Sequence, residues 1–279
     1  MKRLLLLITI CFSSVSFGQV PNYVPTNGLV GWWGFNGNAN DESGNGYDGT
    51  VNGATLTTDR FGNPNSAYDF DGNSNIDIDN MFDFEERSTN IWIKNNDSNW
   101  GDQTRLAFDN DNTNMNYGLV QVGTAINKPD SIGMNQGNQS TRNFAELDTW
   151  YMCSIIRDSD SVKIYFNGTL SSTKSVGTAA SVINYIPTRI GGRVDNTRFW
   201  IGDIDDIGIW NRALTECEIT ELYTGQDCNV GISELNSNQP KELIKIVNLL
   251  GQEVEYTPNT VLIYQYSDGT SEKVFTMED

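Results

Sequence analysis

Short apolar runs, interrupted by polar residues, recur along the chain between clusters of glycine, asparagine and aspartate. These runs are rich in β-branched and aromatic residues, which is typical of strands joined by tight turns. One of them is followed by Asn167-Gly168, a residue pair that favours hairpin turns. The predicted strands are Leu29–Phe35, Ala67–Phe70, Ile76–Ile78, Asn90–Lys94, Gly118–Val122, Trp150–Arg157, Ser161–Phe166, Arg189–Gly191 and Asp203–Trp210.

One segment has the pattern of a helix. Thr215-Glu216-Cys217-Glu218 has the spacing of a capping box, and Gly225 is suited to end the helix. Between them, Ile219, Leu222 and Tyr223 would share one face. Many strands without interleaved helices predict an all-β fold, an antiparallel jelly-roll sandwich.

The cysteines suggest an oxidising compartment. Cys217 and Cys228 are eleven positions apart and flank the predicted helix, so a disulfide between them is geometrically easy. A loop of that size would stabilise the fold by about 2–3 kcal/mol. Cys153 lies in a strand-like run, where we expect a buried free thiol.

The two ends of the chain differ from its middle. Lys2 and Arg3 precede the apolar run Leu4–Ile10, and Ser16 and Gly18 precede a plausible cleavage point, so residues 1–18 are predicted to be a signal peptide. No later segment is apolar enough to span a membrane. The jelly-roll domain would occupy residues 19–228, followed by a polar linker at 229–236 and a small β unit at 237–279. A secreted or cell-surface protein is expected.

The charge balance and the absence of histidine limit the classes of function that the chain can have. The chain has 36 acidic residues, 18 lysines and arginines and no histidine, giving a net charge of −18. The absence of histidine excludes Ser-His-Asp and Cys-His catalysis and histidine-ligated metals. Nucleic acid is not expected as a partner, because its phosphates are bound by lysine and arginine. Carboxylate and carbonyl oxygens suit calcium.

Six segments of the chain carry a family resemblance: Gly28–Phe35, Asn40–Thr50, Tyr68–Gly72, Trp150-Tyr151, Tyr165–Gly168 and Gly202–Leu214. Together they resemble the laminin-G-like jelly-roll family, whose concanavalin A-like relatives include lectins and glucanases. The resemblance implies the same sandwich fold between residues 28 and 223. Residues 95–143 match the family poorly, so ligand-facing loops there cannot be transferred.

The end of the chain is similar to the C-terminal sorting domain of type 9 secretion cargo. The similarity lies in Lys245–Val254, Leu262–Tyr264 and Tyr266–Phe275. It implies a type 9 secretion machinery as a partner, passage through an outer membrane, and release or anchoring at the cell surface. The segment is short at its N-terminal end, and an ordinary appended hairpin is the alternative.

A calcium site is expected at the first loop. Asp41–Gly46 places oxygen side chains at alternate positions, but position twelve is Asn52 rather than glutamate, so the loop is not an EF-hand. The family resemblance implies a structural calcium between this loop and the last long strand, where Asp205 and Asp206 lie. In a regular strand the two point to opposite faces, so at most one of them would face the loop. The predicted ligands are Asp41, Asn45 and Asp205 with backbone carbonyls; a turn without an ion is the alternative.

Catalysis is not expected. The glucanase branch of the family carries Glu-x-Asp-x-Glu or Glu-x-Asp-x-x-Glu on one strand, and neither spacing occurs. Asp203 and Asp205 share a strand face, but no glutamate follows in register. A glycoside hydrolase with other carboxylates remains an alternative.

The candidate ligand-binding residues are aromatic or cationic. Two tryptophans are candidates: Trp100, which lies beside Asn99, Asp102 and Gln103, and Trp200, which lies near Arg198. Either ring could stack on a sugar ring or pack within the protein. We expect a binding module for calcium-supported carbohydrate recognition or adhesion, with a polysaccharide or a cell-surface protein as partner. A structural surface protein without a specific ligand is a further alternative.

Overall fold

The structure is a computed structural model that divides the chain into two compact units, Met1–Cys228 and Asn229–Asp279. It describes residues 19–82, 86–97, 105–109, 120–122, 131–136, 139–175, 185–228, 242–249, 251–267 and 271–275. Among them, no helix has the length and apolar character needed to cross a lipid bilayer.

The first unit is built from strands, with one short helix in its described part. In chain order the strands are β1 (Leu29–Trp33), β2 (Gly49–Asn52), β3 (Thr55–Thr57), β4 (Ala67–Asp71), β5 (Asn75–Phe82), β6 (Arg87–Asn95), β7 (Arg105–Asp109), β8 (Val120–Val122), β9 (Ser131–Gln136), β10 (Gln139–Phe144), β11 (Trp150–Arg157), β12 (Ser161–Phe166), β13 (Thr169–Ser175), β14 (Tyr185–Ile190) and β15 (Ile201–Trp210). Helix α1 follows at Glu216–Thr224.

These strands form two main sheets and a hairpin. The eight-stranded sheet has the order β13-β12-β11-β6-β15-β4-β3, with β1 pairing with β15, and the five-stranded sheet has the order β2-β5-β14-β7-β8. Strands β9 and β10 form the hairpin. The strand pairs of both sheets are antiparallel, so the predicted all-β sandwich is confirmed.

The main core lies between the two sheets. Alternate residues of β6, Ile91 and Ile93, face it together with Ile76 of β5 and Phe108 of β7. A second cluster covers part of the outer face of the eight-stranded sheet, where Trp92 and other sheet residues pack under the N-terminal segment and α1. The central strands are therefore buried on both faces over part of their length, whereas Asp69, Lys94 and Trp150 on the outer face are partly exposed.

The turn and the helix caps predicted from local sequence signals are present in the structure. Thr215 and Glu218 make the reciprocal capping box, and Gly225 ends α1 in the left-handed conformation. Asn167 and Gly168 have φ angles of 49° and 73° and turn β12 into β13. The predicted disulfide is confirmed, with the Cα atoms of Cys217 and Cys228 5.5 Å apart. Cys153 is free and buried, as expected.

The second unit is a three-stranded antiparallel sheet. Its strands are β16 (Leu243–Val247), β17 (Val261–Tyr266) and β18 (Ser271–Phe275), in the order β16-β17-β18. Val247 and Leu262 are its buried apolar residues among those described.

Candidate functional site

Asp41 organises the loop between β1 and β2. Its Oδ1 accepts hydrogen bonds from the backbone N–H groups of Trp32, at 3.0 Å, and Ser43, at 2.9 Å. Its Oδ2 accepts from the Ser43 hydroxyl at 2.8 Å and from the Tyr47 N–H at 3.1 Å. A carboxylate with this many donors is fixed in place, so Asp41 holds the loop against β1.

Several oxygens gather around the side-chain amide of Asn45. The Asn45 Nδ2 lies 3.2 Å from the Leu29 carbonyl oxygen, 3.0 Å from that of Val30 and 3.1 Å from the Ser43 hydroxyl. That hydroxyl in turn bonds to Asp41. Carbonyl, hydroxyl and carboxylate oxygens are the ligands that calcium prefers. With the Asn45 amide turned to present its oxygen, the chemistry of this set fits a hard cation.

Asp205 forms an ion pair with Arg60. Its Oδ2 is 3.2 Å from Nη1 of Arg60, and the same nitrogen is 2.5 Å from Oδ2 of Asp206. The expectation that Asp205 and Asp206 point to opposite faces is wrong, because β15 shifts register between Asp205 and Gly208 and Asp206 has a φ of 43°. No hydrogen bond or ion pair among the described residues joins Asp205 to Asp41 or Asn45.

Burial governs the ionisation of this acidic cluster. It raises the pKa of Asp205 well above its ordinary value, and the neighbouring Asp206 charge acts in the same direction against Arg60. The pKa of Asp206 is also raised by burial, which outweighs the effect of Arg60. Burial and then Asp206 raise the pKa of Tyr23 to about 12. Burial raises the pKa of Glu42; a hydrogen bond from Asn36 opposes this rise, and the charges of Asp206 and Asp41 add to it.

A row of polar and aromatic residues crosses the open part of the outer face. Register pairs Thr55 with Asp69, Asp69 with Asp203, Asp203 with Lys94, and Lys94 with Trp150. These five residues, one each from β3, β4, β15, β6 and β11, are called the outer-face row. Directly paired residues of adjacent strands project on the same side of a sheet, so the row forms one continuous surface.

Charges within the outer-face row are coupled. The Lys94 ammonium pairs with the Asp203 carboxylate and lies 5.4 Å from the centre of the Trp150 ring. Burial raises the pKa of Asp203 to about 6; Lys94 opposes this rise, and a hydrogen bond with Asp69 adds to it. Trp150, Lys94 and Asp69 are partly exposed and Thr55 is exposed, whereas Asp203 is buried. The row thus offers an aromatic ring, an ammonium group and the Asp69 carboxyl to a ligand, with Asp203 beneath Lys94 as its ion-pair partner.

The ligand-binding residues predicted from the sequence have different positions. Trp200 is 0% exposed and belongs to the main core, so its ring is not available to stack on a ligand. Arg198 is partly buried, has a φ of 56°, and its carbonyl oxygen accepts a hydrogen bond from Leu106 N–H at 2.8 Å. Trp100 lies outside the described residues, as do its neighbours Asn99, Asp102 and Gln103.

Two packed antiparallel sheets define a jelly-roll sandwich protein. A family model described as the concanavalin A-like lectin/glucanases superfamily, of the laminin G type, matches residues 70–220. This match covers more than half of the chain. The chain therefore belongs to the concanavalin A-like lectin/glucanases superfamily. No curated protein sequence matches it.

Solved structures share the fold at low sequence identity. Domain 4 of AbnA, a GH43 extracellular arabinanase from Geobacillus stearothermophilus, in complex with arabinotriose, is 19% identical with a TM-score of 0.53. The alignment covers 70% of this chain and 98% of that domain. The receptor-binding domain of botulinum neurotoxin C/D mosaic serotype is 15% identical with a TM-score of 0.57, over 86% of this chain and 62% of that one.

A third similar structure is a mutant of Trypanosoma rangeli sialidase that displays trans-sialidase activity. It is 17% identical with a TM-score of 0.56, and the alignment covers 74% of this chain and 34% of the sialidase. The chain thus spans about a third of the sialidase and under two thirds of the neurotoxin domain. At these identities the likeness establishes the fold.

Proposed function

We propose that the protein is a carbohydrate-binding module that holds a glycan on the outer-face row. The observation that carries the proposal is the juxtaposition of three partly exposed groups, the Trp150 ring, the Lys94 ammonium and the Asp69 carboxyl, with buried Asp203 holding Lys94 in place. Similarity of fold to a domain in complex with arabinotriose supports the same ligand class.

The chemistry of a sugar matches these side chains. One face of a sugar ring presents C–H groups that pack on an aromatic ring, while its hydroxyls require donors and acceptors. Trp150 would provide the packing surface and Asp69 the acceptor oxygens. Lys94 is held beside the ring by Asp203, so the polar and apolar groups are already positioned before binding, which lowers the entropic cost of association.

Binding is favoured over hydrolysis because Asp203 is not free to act on a substrate. It is buried and tied to the Lys94 ammonium in an ion pair. A glycosidase needs two carboxyls that flank the bond to be cleaved. A reducing-sugar assay on any bound polysaccharide separates the two functions, since a binding module releases no new ends.

A single substitution tests the proposed site. Trp150→Ala should weaken binding of the best glycan from an array by about tenfold or more, because the aromatic packing surface is lost. The affinity is measured by isothermal titration calorimetry on full-length purified protein. Phe144→Ala is the matched control, since Phe144 is an aromatic residue, 63% exposed, on the separate β9–β10 hairpin. Equal affinity of Trp150→Ala and wild-type protein would contradict the proposal.

Calcium is proposed as a support for this module. We propose that Asp41, Ser43 and Asn45, with the carbonyls of Leu29 and Val30, would hold the ion and stiffen the loop after β1. The oxygen set around the Asn45 amide supports the proposal. Asp205, which the sequence had placed in this set, is left out of it because it pairs with Arg60.

The C-terminal unit is proposed as an export signal. Its three strands coincide with the segments that resemble the sorting domain of type 9 secretion cargo. Together with the proposed signal peptide at residues 1–18, this unit would direct the protein through two membranes. A secreted or cell-surface location suits a protein that binds polysaccharide.

A further inference from the structure

Arg60 occupies the point between two buried carboxylates of β15. We infer that its guanidinium is a built-in cation: it stands where a metal ion bridging Asp205 and Asp206 would lie, so that this end of the sheet closes without an ion. The inference concerns the stability and ion dependence of the fold, and it does not rest on glycan binding.

The distances leave no room for a bridging ion. Arg60 Nη1 is 3.2 Å from Asp205 Oδ2 and 2.5 Å from Asp206 Oδ2. Calcium bound by these oxygens would sit about 2.3–2.6 Å from each of them. That volume is taken by the guanidinium, so the arginine and the ion exclude each other.

Two aromatic rings lie against the Arg60 guanidinium. Its Cζ lies 4.2 Å from the centre of the Phe61 ring and 4.4 Å from that of Trp92. The loop that carries Arg60 is itself held by Asp59, whose Oδ1 accepts hydrogen bonds from the N–H groups of Phe61 and Asn63, both at 2.8 Å. The Arg60 side chain is 8% exposed. Displacing it would break both ring contacts and leave two buried carboxylates unpaired, which is strongly unfavourable.

The Tyr23 hydroxyl is a further partner of this cluster. It donates to Asp206 Oδ2 at 3.4 Å, and Arg60 Nη2 lies 3.5 Å from the Tyr23 oxygen. The guanidinium and the hydroxyl thus supply the two carboxylates with donors in place of an ion.

Ion binding distinguishes a built-in cation from a metal site. Four full-length proteins are titrated with terbium and then with competing calcium, and terbium emission is excited through tryptophan. They are the wild type, Asp41→Asn, Asp205→Asn and Arg60→Ala. Because Trp92 lies against Arg60, an ion that replaces the guanidinium would be sensitised by this ring. Circular dichroism establishes that each variant is folded.

The expected results differ between variants. Asp205→Asn should bind calcium as wild-type protein does, whereas Arg60→Ala should gain a site at least about tenfold tighter than any in the wild type, since two carboxylates and a hydroxyl become free to coordinate. The additional substitutions Asp205→Asn and Asp206→Asn should abolish the gained site.

Two outcomes would overturn the inference. In the first, the wild-type protein binds calcium and Asp205→Asn weakens this binding by about tenfold or more; Asp205 would then be a calcium ligand even with Arg60 in place. The other is a folded Arg60→Ala variant that gains no ion site. If Arg60→Ala does not fold, the comparison of wild-type protein with Asp205→Asn still decides. Loss of wild-type calcium binding in Asp41→Asn bears on the first-loop site alone.

Discussion

At the scale of single residues, the outer-face row shows how a backbone detail places a charged side chain. Gly202, with a φ of 131°, precedes Asp203, and a Cβ at this position would overlap the Lys94 carbonyl oxygen. The absence of a side chain lets β15 approach β6 closely, and Asp203 consequently meets the Lys94 ammonium. A glycine here therefore serves the ion pair next to it.

Asp203 should make the stability of the fold depend on pH. Its pKa is about 6 in the folded protein and about 3.9 in an unfolded chain, so between these values the folded state holds a proton that the unfolded state releases. The contribution to stability is therefore full below about pH 4 and is lost as the pH rises through about 6. Urea denaturation at pH 5 and pH 7 measures this change, and Asp203→Asn should reduce it.

Asp71 provides the control for this measurement. Hydrogen bonds, chiefly from the backbone N–H of Asn73, lower its pKa, so Asp71 adds stability at higher pH and loses it only as the pH falls below its ordinary range. Asp71→Asn should leave the difference between pH 5 and pH 7 unchanged. A difference that is the same in wild-type protein and Asp203→Asn would contradict the assignment to Asp203.

At the scale of elements, α1 is a cover for the second apolar cluster. Ile219 and Leu222 are buried against the outer face of the eight-stranded sheet, and Tyr223 stacks on Trp92 at 5.8 Å between ring centres. The capping box begins the helix, and the Cys217–Cys228 disulfide ties it to the chain that follows. Helix α1 thus covers one part of the outer face of the eight-stranded sheet, and the outer-face row lies further along the same face.

Removing the disulfide should loosen this cover. The double variant Cys217→Ser/Cys228→Ser should lower the free energy of unfolding by about 2–3 kcal/mol, because the unfolded chain regains the entropy of an open loop. Urea denaturation measures the loss. Wild-type protein in a reductant should show the same change, and an unaltered midpoint in both samples would mean that the bridge adds nothing.

Some elements were predictable from the sequence because their signals are local. Strands β11 and β12, the turn at Asn167-Gly168 and the capped helix coincide with their predictions. Strand β13 was missed because it is polar and exposed at a sheet edge, and β2 and β3 were missed because they are short. Apolar periodicity cannot reveal strands that bury few side chains.

The site was less predictable because it depends on which sheet face is covered. Trp200 and Trp150 are both tryptophans in a β-rich chain, yet Trp200 lies in the main core and Trp150 is partly exposed beside the second cluster. The shift of register in β15 likewise brings Asp205 and Asp206 to one guanidinium. Neither result can be read from residue spacing, since both arise from contacts between distant strands.

At the scale of the whole molecule, the two units have different roles in the proposal. The jelly-roll unit carries the proposed glycan and ion sites, and the small sheet carries the proposed export signal. Both belong to a strongly acidic chain, whose net charge of −18 favours solubility and disfavours binding to polyanions.

Deleting residues 237–279 should stop export. The truncated protein should accumulate in the periplasm, because the segment that the secretion machinery would recognise is missing. Cell fractionation and immunoblotting locate it, with the full-length protein as the reference. The folded state of the truncated jelly-roll unit is monitored through its Cys217–Cys228 disulfide. Undiminished appearance of the truncated protein in the medium or at the cell surface would refute the proposed role.

The outer-face row also sets a length scale for recognition. Its residues come from five neighbouring strands, and strands in a sheet lie about 4.8 Å apart, so the row measures about 19 Å from Thr55 to Trp150. A monosaccharide would touch a small part of this distance. For the proposed glycan site, an extended oligomer lying across the strands would span this distance, so we expect binding to the interior of a long polymer rather than to its chain ends.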